Sequence, residues 1–343
     1  VPPMTASLMG RFFAVPLLII GTIVGGAVLV VVLFGGPVTS QERSVDELLR
    51  ALEAGSGEKS FGVLLPREKE LWQTALELSV RLQKQGTGGG LTDEELETAA
   101  ERIGAMVEAD LANVGRVVTV GEREEDHRRV RSARLQFLIH ALGRTRRPMV
   151  IDRLIALVRD AREPYARAAM HELGNLHEMA GSRRAIAAVL TRLDAAMKPA
   201  TRLMACHALS VLASPGDATV IAKLTQTHHT AEGEVAWSAA LALGRLESNA
   251  GKSTLLDLLD REHLESGKRF EATDDDGNTI QRYALPPQRV EATLLAAIDA
   301  ASNLRDADLW ETIERLKSDR SPVVRNRAGE RLAARASDGA GDP

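Results

Sequence analysis

Three histidines stand at one place in a recurring pattern. His140, His171 and His207 each lie two residues before an aliphatic marker, Leu142, Leu173 and Leu209. The segments are His140-Ala141-Leu142-Gly143, His171-Glu172-Leu173-Gly174 and His207-Ala208-Leu209-Ser210. An imidazole titrates near neutrality, so a row of them can change the charge of a surface as the pH falls. Equivalent positions in stacked units lie about 10 Å apart, because helices pack at about 8 to 10 Å. That spacing predicts a pH-sensitive ladder and argues against one metal ion shared by all three. No metal or cofactor site is expected.

Arginines supply the second candidate chemistry. Arg128, Arg129, Arg131, Arg134, Arg144, Arg146 and Arg147 crowd a short stretch, and residues 127–192 carry 14 basic side chains, all arginine, against 5 acidic ones. Residues 42–126 carry 10 basic and 19 acidic groups, and residues 193–343 carry 18 and 23. A guanidinium fork suits carboxylate or phosphate, so the cluster is a candidate partner-binding surface for a protein or another anionic surface. The competing expectation is internal: the acidic helices before it dock onto it. Nucleic acid is disfavoured, because only 3% of residues are aromatic and the charge outside the arginine cluster is negative.

Other motif matches fail on their own terms. Gly251-Lys252-Ser253-Thr254 has the end of a phosphate loop, but Leu246 occupies the first glycine's place, so the segment is expected to start a helix. Asp274-Asp275-Asp276-Gly277-Asn278 is no calcium loop, since the glycine comes too early and Leu285 replaces the bidentate glutamate. Cys206, the single cysteine, lies among apolar residues and reads as a buried small hydrophobe. No nucleophile and base show a matching spacing, so no catalytic site and no enzyme are expected.

The elements that must position these groups follow from the marker's period. Leu142, Leu173, Leu209, Leu243, Ile298 and Leu332 are separated by 31, 36, 34, 55 and 34 residues. Self-similarity at such a period marks stacked supersecondary units, each burying its apolar face on a neighbour. Val324-Arg325-Asn326-Arg327-Ala328 precedes its marker at the same offset as Val290-Glu291-Ala292-Thr293-Leu294. This V-R-x-x-A-x-x-x-L-G pattern resembles the HEAT family, in particular the HEAT-like repeats first described in phycobilin lyases. The resemblance implies an all-α fold, a right-handed α-solenoid of helix pairs over residues 128–335. It depends little on Leu138, where alanine is usual, or on Asp299, where glycine is usual. The long step holds an insertion at about 267–287, whose Asp-Gly and Gly-Asn turn predicts a β-hairpin.

Before the array lie three further parts. After a tail of residues 1–11, residues 12–34 run uncharged, and as a helix they are about 35 Å long, enough to cross a bilayer. A signal peptide competes, with Val38-Thr39-Ser40 as a cleavage stretch, but its apolar core is normally about 7 to 15 residues. A single-pass transmembrane helix is therefore expected. Arg11 beside the span favours an inside N-terminus and an extracytoplasmic array. Gly21 and Gly25 form a GxxxG through which two copies could pair as a homodimer. Residues 35–127 are expected to form an acidic, helical, membrane-proximal cap. Capping boxes at Ser44/Glu47 and Thr92/Glu95, an apolar face at Leu71, Ala75, Leu78 and Leu82, and an extended connector at 117–126 define it. Residues 336–343 read as a disordered tail.

Together these features favour a non-enzymatic, membrane-anchored scaffold for protein–protein interaction. The repeat resemblance also implies an enzymatic alternative, a phycobilin lyase or isomerase, and the arginines imply a binder of an anionic surface.

Overall fold

The computed structural model describes residues 43–54, 65–85, 90–113, 123–266, 270–273, 279–282 and 285–339. The chain divides into two compact units, Val1–Glu47 and Leu48–Pro343. Within the first, Ser44 and Glu47 close the expected capping box: the Ser44 amide donates to Glu47 Oε2 at 2.6 Å, and the Glu47 amide donates to Ser44 Oγ at 3.1 Å. The expected span at 12–34, with Gly21 and Gly25, lies outside the described residues. Among the described residues no helix is long and apolar enough to cross a membrane.

The described chain is helical apart from one hairpin. α1 (Val45–Ala54), α2 (Leu65–Gln85) and α3 (Asp93–Asn113) precede α4 (Arg123–Arg144). α5 (Pro148–Asp160), α6 (Glu163–Asn175), α7 (Ile186–Thr191), α8 (Pro199–Leu212), α9 (Ala218–Thr230) and α10 (Gly233–Arg245) follow. α11 (Lys252–Leu259) and α12 (Arg261–Glu265) lead to the hairpin β1 (Phe270–Thr273) and β2 (Thr279–Arg282). α13 (Pro287–Ala301), α14 (Ala307–Arg315) and α15 (Pro322–Gly339) complete the chain.

Local chemistry sets these boundaries. Proline occupies the first turn of α5, α6, α8 and α13, where its missing N–H removes no helical bond. Asp217, Asp260 and Asp306 cap α9, α12 and α14 through their side-chain oxygens. Thr92 and Glu95 close the second capping box, with amide-to-side-chain distances of 2.7 and 3.2 Å. Two boundaries differ from expectation. Residues 123–126 were expected in an extended connector but begin α4, because Glu124, Glu125 and Asp126 favour the positive end of a helix dipole. The last helix also runs on to Gly339, into the stretch read as a tail.

The markers hold the core. α4, α6, α8, α10, α13 and α15 carry them, and each packs against the next in that order. Leu142, Leu173, Leu209, Leu243 and Ile298 are fully buried, as are the residues one turn earlier, Leu138, Ala169, Ala205, Ala239, Leu294 and Ala328. The marker glycines Gly143, Gly174 and Gly244 each lie against the next marker helix. A Cβ on Gly244 would sit 3.0 Å from the Ala300 carbonyl oxygen and 3.1 Å from Ala300 Cβ. Buried Arg192 caps the C-terminal end of α5: its Nε donates to the Val158 carbonyl at 2.6 Å, and Nη2 donates to those of Arg159 and Ala161 at 2.9 and 3.3 Å.

The acidic segment and the insertion both pack on the array. α2 and α3 lie against α4, with the rings of Trp72 and Phe137 stacked at 5.8 Å. Arg102 makes a two-pronged pair with Glu53 at 2.6 and 2.7 Å. The hairpin pairs antiparallel, Phe270 opposite Arg282 and Thr273 opposite Thr279, within the expected insertion. β1 contacts α10, so the hairpin braces a marker helix.

Candidate functional site

The repeat places His140 near the end of α4 and His171 near the end of α6, on two helices that pack together. Their rings meet edge to face, with centroids 5.4 Å apart and planes inclined at 84°. Both Nδ1 atoms converge on one carboxylate oxygen, Glu172 Oε1, at 2.7 Å from His140 and 3.0 Å from His171. One donor atom from each of the three residues lies within 4.8 Å of the other two. Asn175 Nδ2 stands 3.3 Å from His171 Nδ1 on the outer side.

The expected ladder is therefore corrected at its first rung. The two rings are much closer than helix spacing implies, because both lean toward a carboxylate between them. His207 belongs to the same register but stays exposed, outside this cluster. Its pKa is lowered, first by partial desolvation and then by the positive charges of Arg245 and His171.

Glu172 is the residue that the histidine register alone does not reveal. It sits one residue before the marker, a slot filled by Ala141, Ala208 and Ala242 in the neighbouring clear copies. All three alanines are buried to within 2% exposure, and Glu172 itself is 1% exposed. An acid in a slot that buried alanine fills in the neighbouring clear copies was the available signal. Its room comes from Gly143 on α4: a Cβ there would lie 2.5 Å from Glu172 Cβ and 2.6 Å from its Cγ and Oε2. Burial opposes ionisation of this carboxyl, but hydrogen bonds from His140 and His171, with their charges, outweigh it and hold the pKa at about 2. Glu172 is thus an anion in the core, facing two imidazoles.

Three of the seven arginines are engaged internally. Arg134 Nε lies 3.5 Å from Asp110, Arg144 Nη1 donates to Ser79 Oγ at 2.5 Å, and Arg147 Nη2 donates to Asp93 at 2.8 Å. The partners lie on α2 and α3. Arg146 is exposed and adopts a positive φ of 52° in the turn after α4. Arg128, Arg129 and Arg131 belong to α4, but their side chains lie outside the described residues. Changing Arg144, Arg146 and Arg147 to glutamate is expected to leave retention on anionic liposomes or DNA unchanged in a co-sedimentation assay. Loss of retention would instead make the cluster an anion-binding face.

The remaining motifs resolve into structure. Lys252 opens α11 and gives its ammonium to Asp306 and Asp308 at 2.6 and 2.7 Å, which raises its pKa. Gly251 packs on Ala240, whose Cα would lie 2.8 Å from an added Cβ. Thr254 Oγ1 meets His228 Nε2 at 2.9 Å. Cys206 is fully buried and its thiol is pushed up to about 12 by desolvation, which removes it as a nucleophile. A cleft of about 610 Å³ opens beside Val107, Leu111, Leu142, Arg153, Leu157 and Tyr165. Arg153 is engaged by the Ala100 carbonyl at 3.4 Å and by Glu108 at 3.7 Å.

No protein-family model matches this chain, and no curated protein matches it.

Proposed function

We propose that this protein is a membrane-anchored scaffold whose right-handed α-solenoid of HEAT-like pairs, residues 128–335, binds another protein. The observation that carries the reading is the chain-ordered packing of six marker helices, closed by small residues at Gly143, Gly174 and Gly244. Units joined this way form an extended surface rather than a closed pocket. Residues 12–34 serve as the anchor, and the array is extracytoplasmic. The bonds of Arg144 and Arg147 and the hairpin's contact with α10 count toward internal roles for those groups, and the exposed helical faces serve as the partner surface.

Site-specific photo-crosslinking in membranes tests this. Probes at exposed Glu178, Glu311 and Val323 are expected to capture one discrete partner from at least one position. No adduct from any of them would count against a scaffold. Carbonate washing tests the anchor separately: the full chain should stay in the pellet and a chain lacking 12–34 should be released.

A further inference from the structure

We propose that His140, His171 and Glu172 form a binding site for one divalent first-row transition-metal ion, clamping the first two marker helices together. Two imidazole nitrogens and one carboxylate oxygen make a donor set suited to zinc, cobalt or nickel. The fit is geometric. Ligands about 2.1 Å from a common ion stand roughly 3.0 Å apart at right angles and roughly 3.4 Å apart in a tetrahedron. The two nitrogen-to-oxygen distances, 2.7 and 3.0 Å, already approach that edge.

Three further observations favour a site over a purely hydrogen-bonded triad. Glu172 is buried in a slot that alanine fills in the neighbouring clear copies, and its Oε1 lies within hydrogen-bond distance of both imidazoles. Gly143 leaves the space that the carboxylate occupies. The rings, by contrast, are open to solvent, with 25% of His140's side chain and 41% of His171's exposed. An ion can therefore enter, rotate the imidazoles into place, and keep water in its remaining positions. The ligands come from two helices, so the ion links neighbouring units and stabilises the folded state by mass action. This inference is independent of the scaffold reading.

The test uses the detergent-solubilised full chain stripped with EDTA, titrated with zinc against a chromophoric chelator. One zinc per chain at micromolar affinity or tighter is expected, with a rise in thermal midpoint. Cobalt should give visible d–d bands. His171→Ala, which leaves Glu172 paired with His140, should weaken zinc binding by at least about tenfold while circular dichroism stays helical. Glu172→Gln should do the same, whereas His263→Ala on the distant α12 should leave binding unchanged. Absence of zinc uptake by the stripped wild type, or wild-type affinity in folded His171→Ala, would overturn the site.

Discussion

Gly143→Val should lower stability by about 3 kcal/mol, read as a fall in the urea midpoint of the helical signal. Valine and glycine differ by only a few tenths of a kcal/mol in helix propensity, so the change isolates packing. Even the first added carbon would lie 2.5 Å from Glu172 Cβ, well inside contact distance, and the clash involves the root of the side chain rather than its mobile end. Glu172 cannot retreat without giving up His140 and His171, and α6 cannot retreat without opening the interface with α4. Gly329→Ala supplies the opposite sign. Gly329 lies within α15 and nothing stands within 4 Å of an added Cβ, so this variant should gain up to about 1 kcal/mol. A raised midpoint for Gly143→Val would show that α4 and α6 are not in contact there.

Asp319→Ala should cost a similar amount, about 3 kcal/mol, because it removes the two-pronged carboxylate from a nearly buried guanidinium and leaves it only Glu265 at 3.0 Å. Arg261 on α12 donates through Nε and Nη2 to both oxygens of Asp319 at 2.7 Å each, with side-chain exposures of 13% and 4%. The Ser321 amide adds a third bond to Asp319 Oδ1 at 2.7 Å, which ties the turn before α15. Burial opposes the charge, but the hydrogen bond from Arg261 and its positive charge outweigh that and draw the pKa below its ordinary 3.8. A depressed carboxyl pKa stabilises the fold above the ordinary value and loses that contribution as the pH falls through the folded one. Wild type should therefore lose stability below about pH 4 more steeply than Asp319→Ala. Parallel midpoint-versus-pH curves for the two proteins would remove Asp319 as the source.

Much of the array was legible because its cause is local and repeated. A small residue one turn before an aliphatic marker, followed by glycine, records a close helix approach, and the buried series from Leu138 to Ala328 shows that Leu138 fits the same slot. The capping boxes were legible for the same reason, since their bonds span three residues. The histidine register was legible as a sequence pattern, whereas the ring spacing was not. Register gave the shared face, but side-chain lean decided the distance, and it depended on Glu172, a neighbour in sequence whose importance lies in filling an alanine slot. The internal partners of Arg144 and Arg147 lie 65 and 54 residues away, so composition raised the possibility of pairing without naming Ser79 or Asp93.

The hairpin insertion also bears on how the array assembles. Leu243 and Ile298 are 55 residues apart, yet their helices touch as neighbours do elsewhere, with Gly244 against Ala300. Loop-closure entropy grows only with the logarithm of length, so the longer step adds about 0.4 kcal/mol over a regular one. Spatial adjacency is thus nearly uncoupled from separation along the chain at this joint. α11, from the intervening stretch, packs on both α10 and α13. A length change confined to this step should therefore alter stability by only a few tenths of a kcal/mol, so the joint tolerates growth by insertion.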